Sequence, residues 1–291
     1  MDKHNLNAFI AVSEAKSFSN AAEILHVTQS TISKRIALLE ETMGQKLFDR
    51  IARQVSLTPA GAELLPRAER MLKEYKDAIQ AINDLSGNTS GTLRLAISHH
   101  LGLHRLPPLL KTYAQAHPDV VLDIEFMDSE KAYEQILLGH SEVAVITLAL
   151  EERHNIDGKK IWNDRLRFVC AQDHPLSKLT TPELIHLADY PVILPGLNTY
   201  TGRIVQNLFQ EEDIRLKSPM STNYLETIST MVEVGLGWSV LPETLVRDLH
   251  VMPIHNCHIQ RELGYIHHKK RTLSNSAQAF ISLIAKSSTI L

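Results

Sequence analysis

The 291 residues exceed what one small core organises and predict two or three domains, since domains run roughly 100 to 200 residues. Hydrophobic residues make up 44% and charged residues 22%, which excludes a disordered chain, and the longest apolar runs, such as "VAVITLAL" (143–150), fall far short of the ~20 residues of a bilayer span. A net charge of −3 excludes a generic polyanion binder, so any nucleic-acid contact must be local.

The start "MDKHNLNAF" has no cationic leader followed by an apolar stretch, so a cytoplasmic location without membrane contact is expected. Leu6, Phe9, Ile10 and Val12 recur at helical spacing. A second helix follows in "SFSNAAEILHV", where Ser19 is the expected N-cap and Ala21, Ala22 and Leu25 allow close packing. Thr28 caps a third, whose buried side is Ile32, Ile36 and Leu39. Gly44 stops it, and "DRIARQVSLT" reads as two small strands joined by a cationic loop. The order is helix, turn, helix, wing.

With that side buried, the third helix turns Thr28, Gln29, Ser30, Thr31, Ser33, Lys34 and Arg35 outward or nearly so. Gln bonds adenine bidentately, Arg bonds guanine, Ser suits several bases, and Lys and Arg also hold phosphates. An α-helix fits the major groove of double-stranded DNA. The wing cations Arg50 and Arg53 are placed to touch the neighbouring backbone or minor groove.

Thr58 and Pro59 open a long helix ending at the breakers "SGNTSG" (86–91). Leu64, Ala68, Met71, Tyr75, Ala78, Ile82 and Leu85 alternate steps of four and three, the spacing of a coiled-coil seam that wants a partner, the alternative being an amphipathic helix packed on its own domain. Pro66 is expected to kink this helix or delay its regular part. After Gly91 strands alternate with helices, which argues βαβ units and a mainly parallel sheet. Two α/β lobes follow, the chain crossing near Trp162 and returning near Tyr265, with a closing helix at 276–290. The expected domains are 1–58 (winged helix-turn-helix), 59–90 (linker and dimerisation helix) and 91–291 (regulatory region). The first lobe would take 91–161 and 266–291, and the second 162–265.

In "FIAVSEAKSFSNAAEILHVTQSTISKRIALLEETMGQKLFDRIARQVSLTPAG" the chain resembles the N-terminal winged helix-turn-helix of LysR-type transcriptional regulators. The resemblance continues through "DHPL" and "VEVGLGWSVLP" (232–242). It implies an all-α winged helix-turn-helix, a long linker helix, and two Rossmann-like lobes like those of periplasmic binding proteins. It also implies interrupted inverted-repeat promoter DNA, a homodimer or homotetramer, a small-molecule effector, and RNA polymerase as a further candidate partner. Departures at Ser30, Lys34 and Arg35 bear on which operator is preferred.

Ligands of open α/β lobes bind beyond the carboxyl ends of strands, near helix N-termini. Those ends deliver Ser98, His99, His100, Met127, Ser129 and Thr147 from one lobe, and Leu197, Asn198, Thr199, Thr201 and Asn223 from the other. By resemblance, Ser98, His100, Thr147 and Thr199 fall at pocket positions. Hydroxyls, helix N-termini and protonatable His suit a small carboxylate or other anion, although each hydroxyl could instead cap a helix. No cofactor and no metal is expected. His99, His100 and His104, and "HNCH" (255–258) with Cys257, tempt a metal reading but lack an identifiable full ligand set. Cys170 and Cys257 are read as reduced thiols, Cys170 in a core strand unsuited to peroxide sensing. No nucleophile elbow, Walker loop or HExxH motif supports catalysis. The alternatives are a small-molecule-binding or enzymatic protein with a helical oligomerisation module, and a DNA binder without a ligand.

Overall fold

The computed structural model describes residues 2–51, 54–84, 87, 89–255 and 257–287. The chain forms two compact units, Met1–Ser86 and Gly87–Leu291. Among the described residues no helix is long and apolar enough to cross a membrane.

In the first unit α1 spans Lys3–Ala15, α2 Phe18–Ile24 and α3 Gln29–Met43. Ser17, and not the expected Ser19, caps α2: its backbone is extended and its hydroxyl accepts the Asn20 N–H at 3.3 Å, which places Ser19 inside the first turn. Thr28 caps α3 through the Thr31 N–H, and Gly44 ends it at φ +64°, a left-handed conformation open to glycine at no steric cost. The three helices bury Phe9, Val12, Ala21, Ile32, Ile36 and Leu39 against one another. β1 (Phe48–Ile51) and β2 (Gln54–Leu57) pair antiparallel, anchored by the Phe48 ring, whose centroid is 5.4 Å from that of Phe9 and 5.8 Å from that of Phe18. α4 (Pro59–Asp84) starts where the Thr58 hydroxyl accepts the Gly61 N–H and continues through Pro66 as one helix.

The expected seam of α4 divides. Leu64 and Ala68 pack into the unit's own core beside Leu72, whereas Met71, Tyr75, Ala78 and Ile82 are exposed and Ile79 joins them. Leu85 lies outside the described residues.

The second unit begins β3 (Gly91–Ser98), α5 (His99–His104), α6 (Pro107–Ala116), β4 (Val120–Met127), α7 (Ser129–Leu137) and β5 (Val143–Thr147). β4, β3 and β5 pair parallel, as βαβ units require. A fifteen-residue strand, β6 (Ile156–Cys170), then leads into the second lobe. That lobe contains a 3-10 turn at Pro175–Lys178, α8 (Leu184–Leu187), β7 (Ile193–Leu194), α9 (Tyr200–Glu211), β8 (Met220–Ser221), α10 (Leu225–Glu233), β9 (Ser239–Pro242), a turn at Glu243–Leu245 and β10 (His250–Val251). β11 (Ile259–His268) returns to the first lobe, and α11 (Asn275–Ser287) closes the described chain.

The main sheet runs β10-β6-β11-β5-β3-β4, with β9 also on β6. The parallel expectation holds for β4-β3-β5 and fails for β6 and β11, which carry the chain out and back in opposite directions and so pair antiparallel. Their register slips between Leu263 and Gly264. A Cβ on Gly264 would run into the Lys159 carbonyl, so only glycine lets the two backbones approach there. Leu93, Leu95, Ile97, Trp162, Leu263 and Phe280 cover one face of the first lobe's strands, and Ala96, Ile146 and Ile266 the other. Beyond Trp162, Leu166, Phe168, Phe209 and Trp238 build a separate core, and Val169, Ile193, Ile228 and Leu241 another.

Candidate functional site

Two surfaces carry chemistry, one in each unit. On α3, burial of Ile32, Ile36 and Leu39 leaves Thr28, Gln29, Ser30 and Lys34 exposed, and Thr31, Ser33 and Arg35 half-buried. Gln29 Nε2 donates to Ser33 Oγ at 3.1 Å, and Thr28 Oγ1 lies 2.9 Å from Ser30 Oγ and 2.8 Å from Thr31 Oγ1. These bonds orient short polar side chains on one helical face. A helix ~10–12 Å across matches a major groove ~12 Å wide. Arg50 stands opposite Val55 in the β1–β2 pair, and Arg53 lies outside the described residues.

In the second unit a cleft opens between the lobes where β3, β4 and β5 end. Its inner chamber, about 50 Å³, is lined by Ser98, His99, His100, Met127, Ser129, Thr147, Thr199, Thr201 and Asn223, all expected there. Leu101, Asp128, Glu130, Pro195, Tyr200, Leu225 and Arg261 complete it and were not foreseen. An outer chamber of about 520 Å³ shares His99, Met127, Asp128 and Asn223 with the inner one and adds Asn198, Lys131 and Gln135. Leu197 belongs to neither: its side chain faces outward, 61% exposed.

Several of the hydroxyls are already engaged. Thr199 caps α9, accepting the Gly202 N–H at 3.0 Å and donating to the Gly196 carbonyl at 2.8 Å. Ser129 Oγ accepts the Thr147 N–H at 3.1 Å. Ser98, at the N-cap of α5, makes no capping bond with its side chain. Across the cleft, Asn223 Nδ2 donates to Asp128 Oδ2 at 2.7 Å, and Glu130 Oε1 accepts the Tyr200 N–H at 2.5 Å. Burial raises the Glu130 carboxyl against the hydrogen bonds that favour its anion.

Arg261 supplies the site's fixed positive charge. It is 5% exposed, donates from Nε to Asp164 Oδ2 at 2.8 Å and from Nη1 to Thr201 Oγ1 at 2.8 Å, and leaves Nη2 buried without a hydrogen-bond partner. Asp164, 3% exposed, also receives Arg105 Nη2 at 3.4 Å, while Arg105 Nε is likewise buried and unpaired. Two guanidiniums thus share one carboxylate and retain unused donors. The expected protonatable histidine is not the source of charge: burial pushes the His100 imidazole below its usual range, which favours its neutral form.

The sequence carried a sign of this pair. Ile259, Arg261 and Leu263 alternate onto one buried face of β11, and Trp162, Asp164 and Leu166 onto one buried face of β6. An ion on an otherwise apolar strand face marks a buried partner, and the register sets Arg261 opposite Asp164.

Family models match both units. A family model described as "Bacterial regulatory helix-turn-helix protein, lysR family" matches residues 4–62, and one described as "LysR substrate binding domain" matches residues 86–288. YbhD, an HTH-type transcriptional regulator of Escherichia coli (strain K12), is 28% identical over 292 residues, covering 97% of this chain and 91% of the relative. Among solved structures, full-length CbnR complexed with its target DNA superposes with a TM-score of 0.74 at 21% identity, covering 99% of this chain and 100% of that one. The effector binding domain of QuiR in complex with shikimate gives 0.63 at 20% identity, covering 69% and 99%. With matched models over both units, the alternative of a small-molecule-binding or enzymatic protein whose helical front end is only an oligomerisation module falls away: the chain belongs to the LysR family of transcriptional regulators, with a helix-turn-helix DNA-binding domain and an α/β effector-binding domain.

Proposed function

We propose that this regulator reads promoter DNA through Gln29, Ser30, Ser33, Lys34 and Arg35 of α3, with Thr28, Thr31, Arg50 and Arg53 contributing to the same interface, and that its cleft senses a small carboxylate. The observation that carries the ligand class is Arg261 Nη2, a buried guanidinium donor left unpaired inside the cleft. A buried unsatisfied donor is costly, and a carboxylate oxygen satisfies it with a charge-assisted bond. The inner chamber, at about 50 Å³, has room for about four waters at ~10–15 Å³ each, which suits a carboxylate group, while the outer chamber takes the remainder of the molecule. Shikimate, the carboxylate held by QuiR's domain, is the natural first compound to try.

The functional division is 1–58 for DNA, 59–90 for pairing of copies, and 91–291 for the effector, with lobes at 91–161 plus 266–291 and 162–265. A ligand touching both lobes favours one interlobe angle and shifts operator binding only by its differential affinity for the two arrangements.

Two measurements test this reading. In gel-shift titrations with the chain's own upstream DNA, Arg35→Ala is expected to reduce the ratio of specific to random affinity by ~5- to 150-fold, the equivalent of ~1–3 kcal/mol for a bidentate base contact. An unchanged ratio removes Arg35 from base reading. In calorimetry, Arg261→Lys, which keeps a cation beside Asp164 but loses the fork of the guanidinium, is expected to weaken carboxylate binding ~10-fold or more, and equal affinity in wild type and variant places the ligand elsewhere.

A further inference from the structure

α5 and α10 belong to different lobes, yet three ligating side chains meet between them. His100 and His104 stand one turn apart on α5, with ring centroids 4.7 Å apart. Glu226, in the first turn of α10, lies 126 and 122 residues further along the chain. Its Oε1 is 2.9 Å from His104 Nε2 and 3.4 Å from His100 Nδ1, and the three ligating atoms fall within 4.8 Å of one another. The i, i+4 histidine pair was visible in the sequence; the carboxylate was not, because only the fold brings α10 to α5.

We propose that His100, His104 and Glu226 form a binding site for a divalent transition metal of the zinc class, in which one ion ties α5 to α10 and holds the two lobes at one angle. A tetrahedral ion with metal–ligand bonds of ~2.0–2.1 Å needs ligating atoms about 3.3 Å apart. The 2.9 Å and 3.4 Å separations from the carboxylate bracket that distance, and the two histidine nitrogens, within 4.8 Å of each other, would close on an ion through movement of the exposed His104 ring. Two imidazoles and a carboxylate are a recurrent zinc donor set, with a water or a ligand atom in the fourth position.

A neighbouring hydroxyl is placed to orient one of the ligands. His100 Nε2 lies 3.4 Å from Thr244 Oγ1, and a hydroxyl accepting there keeps the proton on Nε2 and the Nδ1 lone pair directed at the site. The second histidine group behaves differently: among the described residues, His255, Cys257 and His258 do not bring three ligating atoms together.

This site shares His100 with the inner chamber of the cleft but needs neither Arg261 nor an effector. The test uses the full-length protein purified through a chelator, titrated with Zn²⁺ by calorimetry and with Co²⁺ by visible absorption. Saturable uptake of a single ion per chain is expected, with the intense Co²⁺ bands of a four-coordinate site. Affinity should fall ~100-fold or more in His104→Gln and in Glu226→Gln, ~10-fold in Thr244→Ala, and remain at the wild-type level in His258→Ala. Zn²⁺ should raise the Tm of wild type and leave that of His104→Gln unchanged; His104 is partly exposed, so this variant is expected to fold even if Glu226→Gln does not. Absent saturable uptake, or uptake of equal affinity in His104→Gln, the cluster is a hydrogen-bonded latch between lobes and the metal site is overturned.

Discussion

At the scale of single residues the second unit depends on charges hidden inside its sheet. Arg261 and Asp164 are each about 5% exposed or less and face each other across β11 and β6. Removing one partner of a buried pair strands the other charge, so Asp164→Asn is expected to destabilise this unit by ~3–5 kcal/mol, read as a lower urea midpoint. A midpoint within ~0.5 kcal/mol of wild type would show that Arg105 or water compensates fully. Burial also acts on Cys170, whose thiol is pushed up to about 11, and on Tyr113, whose hydroxyl is pushed up to about 12 and donates to the Ser276 carbonyl at 2.8 Å. Both groups are neutral when folded and ionise more readily when unfolded. Their contribution is therefore complete below pH 9 and is lost as pH rises through 9 to 11 for Cys170, and through 10 to 12 for Tyr113. Alkaline melts should show Tm falling from pH 9 upward. Folded Cys170 should resist iodoacetamide and peroxide at pH 8, as peptide mass spectrometry can check, in keeping with a thiol placed for packing. These residues also mark where sequence reading stops. Cys170 sits inside an apolar run and was legible as core, while Arg261 and Asp164 were each one polar letter in a strand until register paired them. Ser98 and Thr199 looked alike in the sequence, but Thr199 is spent on capping α9 and Ser98 is not. Ser98→Ala is thus the cleaner probe of a ligand bond, expected to cost ~1 kcal/mol of ligand affinity by calorimetry without loss of Tm.

Among the elements, α4 shows how one periodicity can serve two partners. Leu64, Ala68 and Leu72 are consumed by the first unit's own core, whereas Met71, Tyr75, Ile79 and Ile82 form an apolar stripe, 44–68% exposed. A stripe of that kind on a helix is expected to meet its equivalent on a second copy. Met71→Glu should shift the protein toward monomer in sedimentation velocity with its Tm little changed, since Met71 contributes little to the internal core. A sedimentation coefficient equal to wild type would move the essential contact elsewhere. Boundaries set by local chemistry were legible: Thr28 and Gly44 bound α3 because a hydroxyl and a left-handed glycine satisfy orphan backbone groups. β6 was not. Its first ten residues, "IDGKKIWNDR", alternate poorly because Asp157, Gly158, Lys159 and Lys160 are exposed in succession and Ile161 and Trp162 are both buried, and its role as a bridge is a tertiary fact.

For the whole molecule, the determining feature is that β6 and β11 complete each other across a long stretch of chain, Arg261 and Asp164 lying 97 residues apart. The first unit has no such requirement, since the residues of its core end at Leu72. During synthesis the two units must therefore mature in order. At ~5–20 residues per second, the ~200 residues that follow α4 take on the order of 10 to 40 s to appear. Throughout that interval the nascent chain carries a finished helix-turn-helix and an exposed pairing stripe beside a sheet whose central strand has not been made. A chain ending at residue 255 should accordingly yield, on limited proteolysis, a resistant fragment ending near Asp84 and rapid loss of everything after it. A protein arrested at that point would keep the means to find a second copy and to grip DNA while lacking the cleft, so premature termination between β10 and β11 is expected to produce a regulator deaf to its effector and dominant over intact copies.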